Sequence, residues 1–203
     1  MAHAYNITTL TVRPGTHPKA LAGLNETAAA DPDLLACWYS DIGAVNQILL
    51  IRDATDIGAT IDARLATLAS PNPFGIGEFI VTMAMDTYIS FDFMAPMQPG
   101  AFGPVYEVRT YVLKPGGLPA TVEAWRKAAP ARMKISPALA AMTSLTGNVT
   151  RFMHVWPYKS FDERARLREK AMADGVWPPP GGPGLLVSQQ VDIYLPAAFS
   201  PMK

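Results

Sequence analysis

The chain has 203 residues, 49% of them hydrophobic and 17% charged, which is enough apolar material for one large domain or two small ones and unlike a disordered or fibrous composition. Lysine plus arginine and aspartate plus glutamate balance at 17 each, so no basic excess is available to neutralise phosphates and nucleic acid is not an expected partner. Cys37 is the single cysteine, which rules out an internal disulfide and a thiolate zinc site and suits a reducing, cytoplasmic setting.

The opening segment MAHAYNITTL has no basic stretch followed by an apolar run, so no leader is expected. No apolar run reaches the roughly 18 residues of a membrane span. Tyr5 to Val12 alternates as a strand and ends at Pro14-Gly15, a pair that breaks strands and starts turns. A helix is predicted over 17–30, then a hairpin of 34–40 with 45–52 turning at Gly43, a second helix over 56–68 and a strand over 79–91. Residues 93–104 are a Pro- and Gly-rich linker.

The order then recurs. A strand over 106–113 precedes a helix over 118–132, in which Val122, Trp125, Ala128 and Ala129 recur at helical spacing,. A hairpin of 139–145 with 149–156 follows, then a helix over 161–173 opened by Ser160 and Glu163 in the spacing of a capping box. A strand over 185–195 closes the series. The repetition is also visible residue by residue: AYNITTLTVRPGTHP (4–18) aligns without gaps to VYEVRTYVLKPGGLP (105–119), SDIGAVNQILLI (40–51) to SLTGNVTRFMHV (144–155), and EFIVTMAMDTYISFDF (78–93) to GLLVSQQVDIYLPAAF (184–199).

These readings give an α+β protein of two tandem ferredoxin-like (βαββαβ) repeats, residues 1–92 and 105–203, joined by the linker at 93–104. Each sheet carries its helices on one face and leaves the other bare, so the two antiparallel sheets are expected to pack face to face. One chain then completes the barrel alone, or pairs again as a homodimer.

Polar chemistry concentrates in the second copy. Glu107 and Arg109 stand where the first copy has Asn6 and Thr8, and His154 and Trp156 where it has Leu50 and Arg52. Glu107, Arg109 and Tyr111 share one face of their strand because successive side chains alternate. They read either as a salt bridge within the fold or as a pocket wall, with Arg109 binding an anionic group or enolate and Tyr111 donating a hydrogen bond. His154 shares a face with Phe152 and Trp156. It reads as a hydrogen-bonded core residue, as a half-buried general base, or as an axial haem ligand.

The mixed charges of Glu163, Arg164, Arg166, Arg168, Glu169 and Lys170 read as a solvated helix face. WPPPGGPG (177–184) lacks Gly-Lys-Ser/Thr and is no phosphate loop; it reads as a stiff loop over a sheet edge, with Trp177 as anchor or lid. Met142, Met153 and Met172 suit either an adaptable cavity or a plain core. Cys37 reads as an inert buried thiol. With His3, His17 and His154 scattered, no metal centre is expected.

The stretch YEVRTYVLKPGGLP (106–119), the run TGNVTRFMHVWPYKSFDERARLREKAMAD with GVW close behind, and the tail LLVSQQVDIYLPAAFSP together resemble the NIPSNAP family. The resemblance covers the second copy; the first shares the Pro-Gly turn and the strand pattern. It implies a dimeric α/β barrel, here within one chain, without a generally agreed catalytic activity. The expectation is therefore a small apolar or aromatic ligand bound in the second repeat by Glu107, Tyr111, Trp156 and Tyr158, with no cofactor and haem as the alternative. Two other readings remain open. One is a cofactor-independent monooxygenase or isomerase acting on a small carbonyl or aromatic compound, with His154 as base and Arg109 stabilising an oxyanion. The other is a protein–protein interaction module.

Overall fold

The computed structural model describes residues 3–203. Eight strands and four helices, numbered in chain order, run β1 (Ala4–Val12), α1 (His17–Ala28), β2 (Leu34–Ile42), β3 (Gln47–Asp53), α2 (Ile57–Ala69), β4 (Ile80–Ser90), β5 (Val105–Leu113), α3 (Leu118–Ile135), β6 (Ala140–Ser144), β7 (Arg151–Tyr158), α4 (Phe161–Ala173) and β8 (Leu186–Pro196). All strand pairs are antiparallel, and they close into a barrel in the order β1-β3-β2-β8-β5-β7-β6-β4. The strand order β4-β1-β3-β2 in the first half recurs as β8-β5-β7-β6 in the second. The seams are β2 with β8 and β4 with β6, so no sheet edge is left unpaired,.

Alternation along each strand sorts its side chains between two cores. Tyr5, Ile7, Trp38, Tyr88, Tyr106, Val108, Val155 and Tyr194 fill the barrel interior, where Trp38 and Tyr106 stack with ring centroids 4.1 Å apart. Complete burial of side chains this large contributes about 1.5–3 kcal/mol each, so the two bare faces are the main reason the halves stay together. Leu10, Leu24, Cys37 and Leu50 lie instead between the first sheet and its helices; Tyr111, Trp125, Phe152 and Trp156 do so in the second half.

Cross-contacts join the halves at both barrel ends. At one, the connection between the halves meets the C-terminal tail: Trp38 Nε1 donates to the Met202 carbonyl (3.0 Å), the Cys37 amide to Ser200 Oγ (3.0 Å), and Gly100 bridges Met202. Burial pushes the Cys37 thiol up to about 12, in keeping with an inert thiol. At the other end each half reaches into the hairpin of its counterpart. Asp192 of β8 accepts from the Ala44 amide (2.8 Å), and Asp86 of β4 pairs with Arg151 (2.8 Å). These carboxylates lie against Gly43 and Gly147, whose φ of 104° and 68° and whose lack of a Cβ admit both the turn and the contact,.

The helices follow the sequence closely. α4 begins at Ser160, whose hydroxyl accepts from the Glu163 amide (3.1 Å) while the Glu163 carboxylate takes the Lys159 amide (2.6 Å). This capping box reaches one residue further back than the usual form. α3 continues through Pro130 to Ile135, and its buried stripe is Thr121, Trp125, Ala129 and Arg132. α2 buries no residue and leaves Ile57, Ile61, Leu65 and Leu68 exposed. Among the described residues no helix is long and apolar enough to cross a membrane.

Ahead of β4, the segment Pro73–Ile76 folds back onto α1. Ile76 is fully buried against Leu10, Ala20 and Leu24, and the approach is so close that a Cβ on Gly23 would lie 2.6 Å from Ile76 Cγ2. The corresponding segment of the second half, residues 176–185 ahead of β8, is tied to α4 through the Val176 and Trp177 amides on the Ala171 carbonyl (3.1 and 3.2 Å) and packs Trp177 edge-on against Trp125 of α3 (ring centroids 4.8 Å).

Candidate functional site

A cavity of about 260 Å³ lies between the helix-facing side of the second sheet and α3, α4 and the loop at 176–185. Trp125, Phe152, Met172, Trp177 and Leu186 supply its apolar wall, and Arg109, Tyr111, Arg132 and Arg168 its polar one. Apolar lining with a few convergent polar groups is the usual make-up of a small-molecule site.

β5 presents Glu107, Arg109 and Tyr111 to this side because Tyr106 and Val108 are drawn into the barrel. The register sets Glu107 opposite Trp156, Arg109 opposite His154 and Tyr111 opposite Phe152. Glu107 is completely buried. It accepts from Arg109 Nε (2.5 Å) and Arg168 Nη1 (3.2 Å) on one oxygen and from Arg164 Nε on the other. Arg109 in turn donates through Nη1 to Tyr111 Oη (2.6 Å), which leaves the phenolic proton free to point elsewhere.

Arg164 and Arg168 stand one turn apart on the inner face of α4, which corrects the reading of that helix as a wholly solvated charged face. Asp162, Arg166, Glu169 and Lys170 are solvated; the other two arginines turn inward because a buried carboxylate needs compensating partners. Arg132 was not anticipated at all. It is 2% exposed, its guanidinium lies over the Trp156 ring at 4.4 Å, and its Nε has no hydrogen-bond partner. Its signal in the sequence was its place on the stripe that also holds Thr121 and Trp125.

His154 is 1% exposed, deeper than the half-buried position expected of it. Its Nδ1 accepts from Trp156 Nε1 (2.6 Å) and its Nε2 has no partner. Burial, with Arg109, Arg168 and Arg132 adding to it, holds the imidazole well below its ordinary pKa. The ring is therefore neutral, and with Nδ1 engaged as an acceptor its proton sits on Nε2. The nitrogen lone pair that a general base needs is occupied, and the free position is a donor. Rings of Trp125, Tyr111 and Phe152 stand 4.8–5.0 Å away by centroid, so the imidazole is packed in an aromatic cluster.

Of the residues singled out from the sequence, Arg109, Tyr111 and Trp177 line the cavity directly. Glu107, His154 and Trp156 lie beneath that wall, and Tyr158, 1% exposed, is packed further along the same strand. Met172 reaches the cavity, whereas Met142 and Met153 belong to the barrel interior. No cluster of metal-ligating side chains occurs among the described residues.

The first half keeps only a trace of this arrangement. Arg64 of α2 donates to Asn6 Oδ1 (3.0 Å) and Thr87 Oγ1 (2.7 Å), much as Arg168 reaches Glu107. Arg52 is taken by Asp31 (2.6 Å), and no tryptophan lines the groove that remains there.

Fold and site together define a closed α/β barrel of two ferredoxin-like halves with one aromatic cavity under the helices of the second. The family model described as NIPSNAP matches residues 106–201. A NipSnap homologue of Dictyostelium discoideum is 38% identical over 73 residues, covering 36% of this chain and 33% of that protein. The NipSnap protein of Drosophila melanogaster is 25% identical over 186 residues, covering 85% and 68%. The chain thus matches about a third of the first relative's length and two thirds of the second's. The similarity to NIPSNAP proteins thus lies in the second half of the chain, residues 106–201. The fold is also that of a Lactobacillus acidophilus protein provisionally named a monooxygenase, which is 12% identical with a TM-score of 0.66 over 96% of this chain and 94% of that one.

Proposed function

We propose that the second half, residues 105–203, carries a binding site for a small apolar or aromatic compound, and that the first half, residues 1–92, supports it across the barrel. One observation carries this reading: the helix-facing cavity is lined by a packed aromatic cluster of Trp125, Phe152 and Trp177, with Arg109 and Tyr111 in its polar wall. The reading is tested by titrating the protein with a panel of one- and two-ring aromatic compounds, following tryptophan fluorescence and the thermal midpoint. Binding is expected to quench the fluorescence and raise the midpoint, as any ligand selective for the folded state does. Trp177→Ala is expected to weaken it about tenfold or more, because that substitution removes one wall. Equal binding by wild type and Trp177→Ala would place the ligand elsewhere.

A second reading, a cofactor-independent monooxygenase or isomerase, is favoured by the free Tyr111 proton and the Arg109 guanidinium, which face an apolar space where an enolate oxygen would be stabilised. In this reading His154 serves as a hydrogen-bond donor, because its basic nitrogen is engaged. Activity, a reducing compartment and further pairing of chains belong to the same proposal; the exposed aliphatic residues of α2 are the surface on which pairing or a protein partner would act.

A further inference from the structure

The charge around the cavity does not balance. Four guanidiniums, of Arg109, Arg132, Arg164 and Arg168, face one carboxylate, Glu107, an excess of three positive charges. Glu107 is the only carboxylate acting on Arg109, Arg132 and Arg168, and both of its oxygens are already engaged. On the helix side of the second half, four buried polar atoms lack a hydrogen-bond partner: the donors Nε of Arg132 and Nε2 of His154, and the hydroxyls of Tyr158 and Ser136, all on residues no more than 2% exposed. A buried donor without a partner costs about 1–3 kcal/mol, more for a charged group. Such donors commonly mark a place where an acceptor belongs.

The three arginines that reach the cavity, Arg109, Arg132 and Arg168, come from different elements, the strand β5 and the helices α3 and α4, and meet at one wall. A guanidinium offers a planar fork that matches a carboxylate or a phosphate and stacks well on aromatic rings. Opposite this polar wall the tryptophan and phenylalanine rings offer flat apolar surface. At about 260 Å³ the space lies just below the roughly 300–1,000 Å³ of drug-sized sites, which sets the scale at one or two fused rings.

We infer that the ligand of this cavity is a small aromatic oxyanion, its negative group seated on Arg132, Arg168 and Arg109 and its ring lying against the packed cluster of Trp125, Phe152 and Trp177. This rests on the small-molecule reading of the cavity and adds the charge and polarity of what fills it. A carboxylate and a phosphate monoester share the chemistry; the seat is committed to the oxyanion, and direct comparison separates the two.

The test uses the full chain and four probes: 2-naphthoate, 2-naphthyl phosphate, and the neutral 2-naphthalenemethanol and 2-naphthamide. Affinities are measured by calorimetry at fixed salt for wild type, Arg168→Gln and Arg132→Lys. At least one anionic probe is expected to bind wild type tenfold or more tightly than either neutral probe. That preference should fall about tenfold in Arg168→Gln while the neutral probes change little; Glu107 keeps Arg109 and Arg164 there, and the unliganded melting curve of the variant checks folding. Arg132→Lys keeps the charge and loses the fork; a matching loss there supports bidentate seating, and its unliganded melting curve checks folding. Tighter binding of the phosphate than of the carboxylate keeps the seat and identifies the phosphate monoester as its source. Equal affinity of neutral and anionic probes for wild type overturns the oxyanion while leaving the aromatic cavity standing. Binding by none of the four overturns both. Anion binding unchanged in both variants overturns this seat by locating the anion elsewhere.

Discussion

At the scale of single residues, His154 shows how environment decides chemistry. Its depressed pKa makes a specific demand on stability. In the unfolded chain the imidazole protonates near pH 6.5, whereas in the fold it stays neutral to well below that. The unfolded state therefore binds more protons as pH falls, so this contribution to stability is fully present above about pH 6.5 and is lost progressively below it, by up to about 1.4 kcal/mol per pH unit. Urea unfolding of wild type and His154→Gln between pH 7.5 and 5 checks this: the difference in stability is expected to shift in favour of the variant as pH falls, and a constant difference would contradict a buried neutral imidazole. His17, also lowered by burial, is common to both proteins and cancels. Glu107, Arg109 and Tyr111 were legible in the sequence because strand alternation groups them on one face and the first copy lacks them. Arg164 and Arg168 were not, because their partner Glu107 lies far away in the sequence and a mixed-charge helix does not announce which of its charges turns inward; nor was Arg132, whose guanidinium lies over the distant Trp156.

At the scale of elements, the strands and helices were readable from alternation, Pro-Gly turns and the Ser160 cap, and their observed ends fall within a few residues of the expected ones. The harder case is α3. Proline in a helix interior removes an amide donor and crowds the preceding turn, yet Pro130 is exposed and the helix runs on for another turn, held by Trp125, Ala129 and Arg132 on the sheet. Packing of one face overrides the local preference, as it does for most helices in a folded protein. Pro130→Ala is expected to raise stability by about 1–3 kcal/mol, since proline costs about 3 kcal/mol against alanine in a regular helix and part of that has been absorbed by the local backbone. Denaturant unfolding at neutral pH checks the prediction; a loss of stability would mean that the turn around Pro130 is required for seating Arg132.

At the scale of the whole molecule, the bare sheet faces foretold the barrel, whereas nothing in the composition foretold how differently the halves would use the space beneath their helices. Ile76 occupies in one half the kind of volume that Trp177 and Pro183 enclose in the other. The groove that remains in the first half, about 340 Å³ between Asn6, Thr8, Arg64 and Phe74, has no tryptophan, so the halves differ in lining, and the proposed site predicts a stoichiometry. A barrel assembled from two equivalent halves would present two equivalent cavities, and occupancy of one would be felt by its twin across the shared interior. Here saturation is expected at one aromatic ligand per 203-residue chain, with a hyperbolic isotherm, and calorimetric titration reads that number directly. A value of two would mean that the groove of the first half takes ligand as well. A chain that takes ligand in one half alone keeps the shape of a dimer without the dimer's capacity for two-site cooperativity.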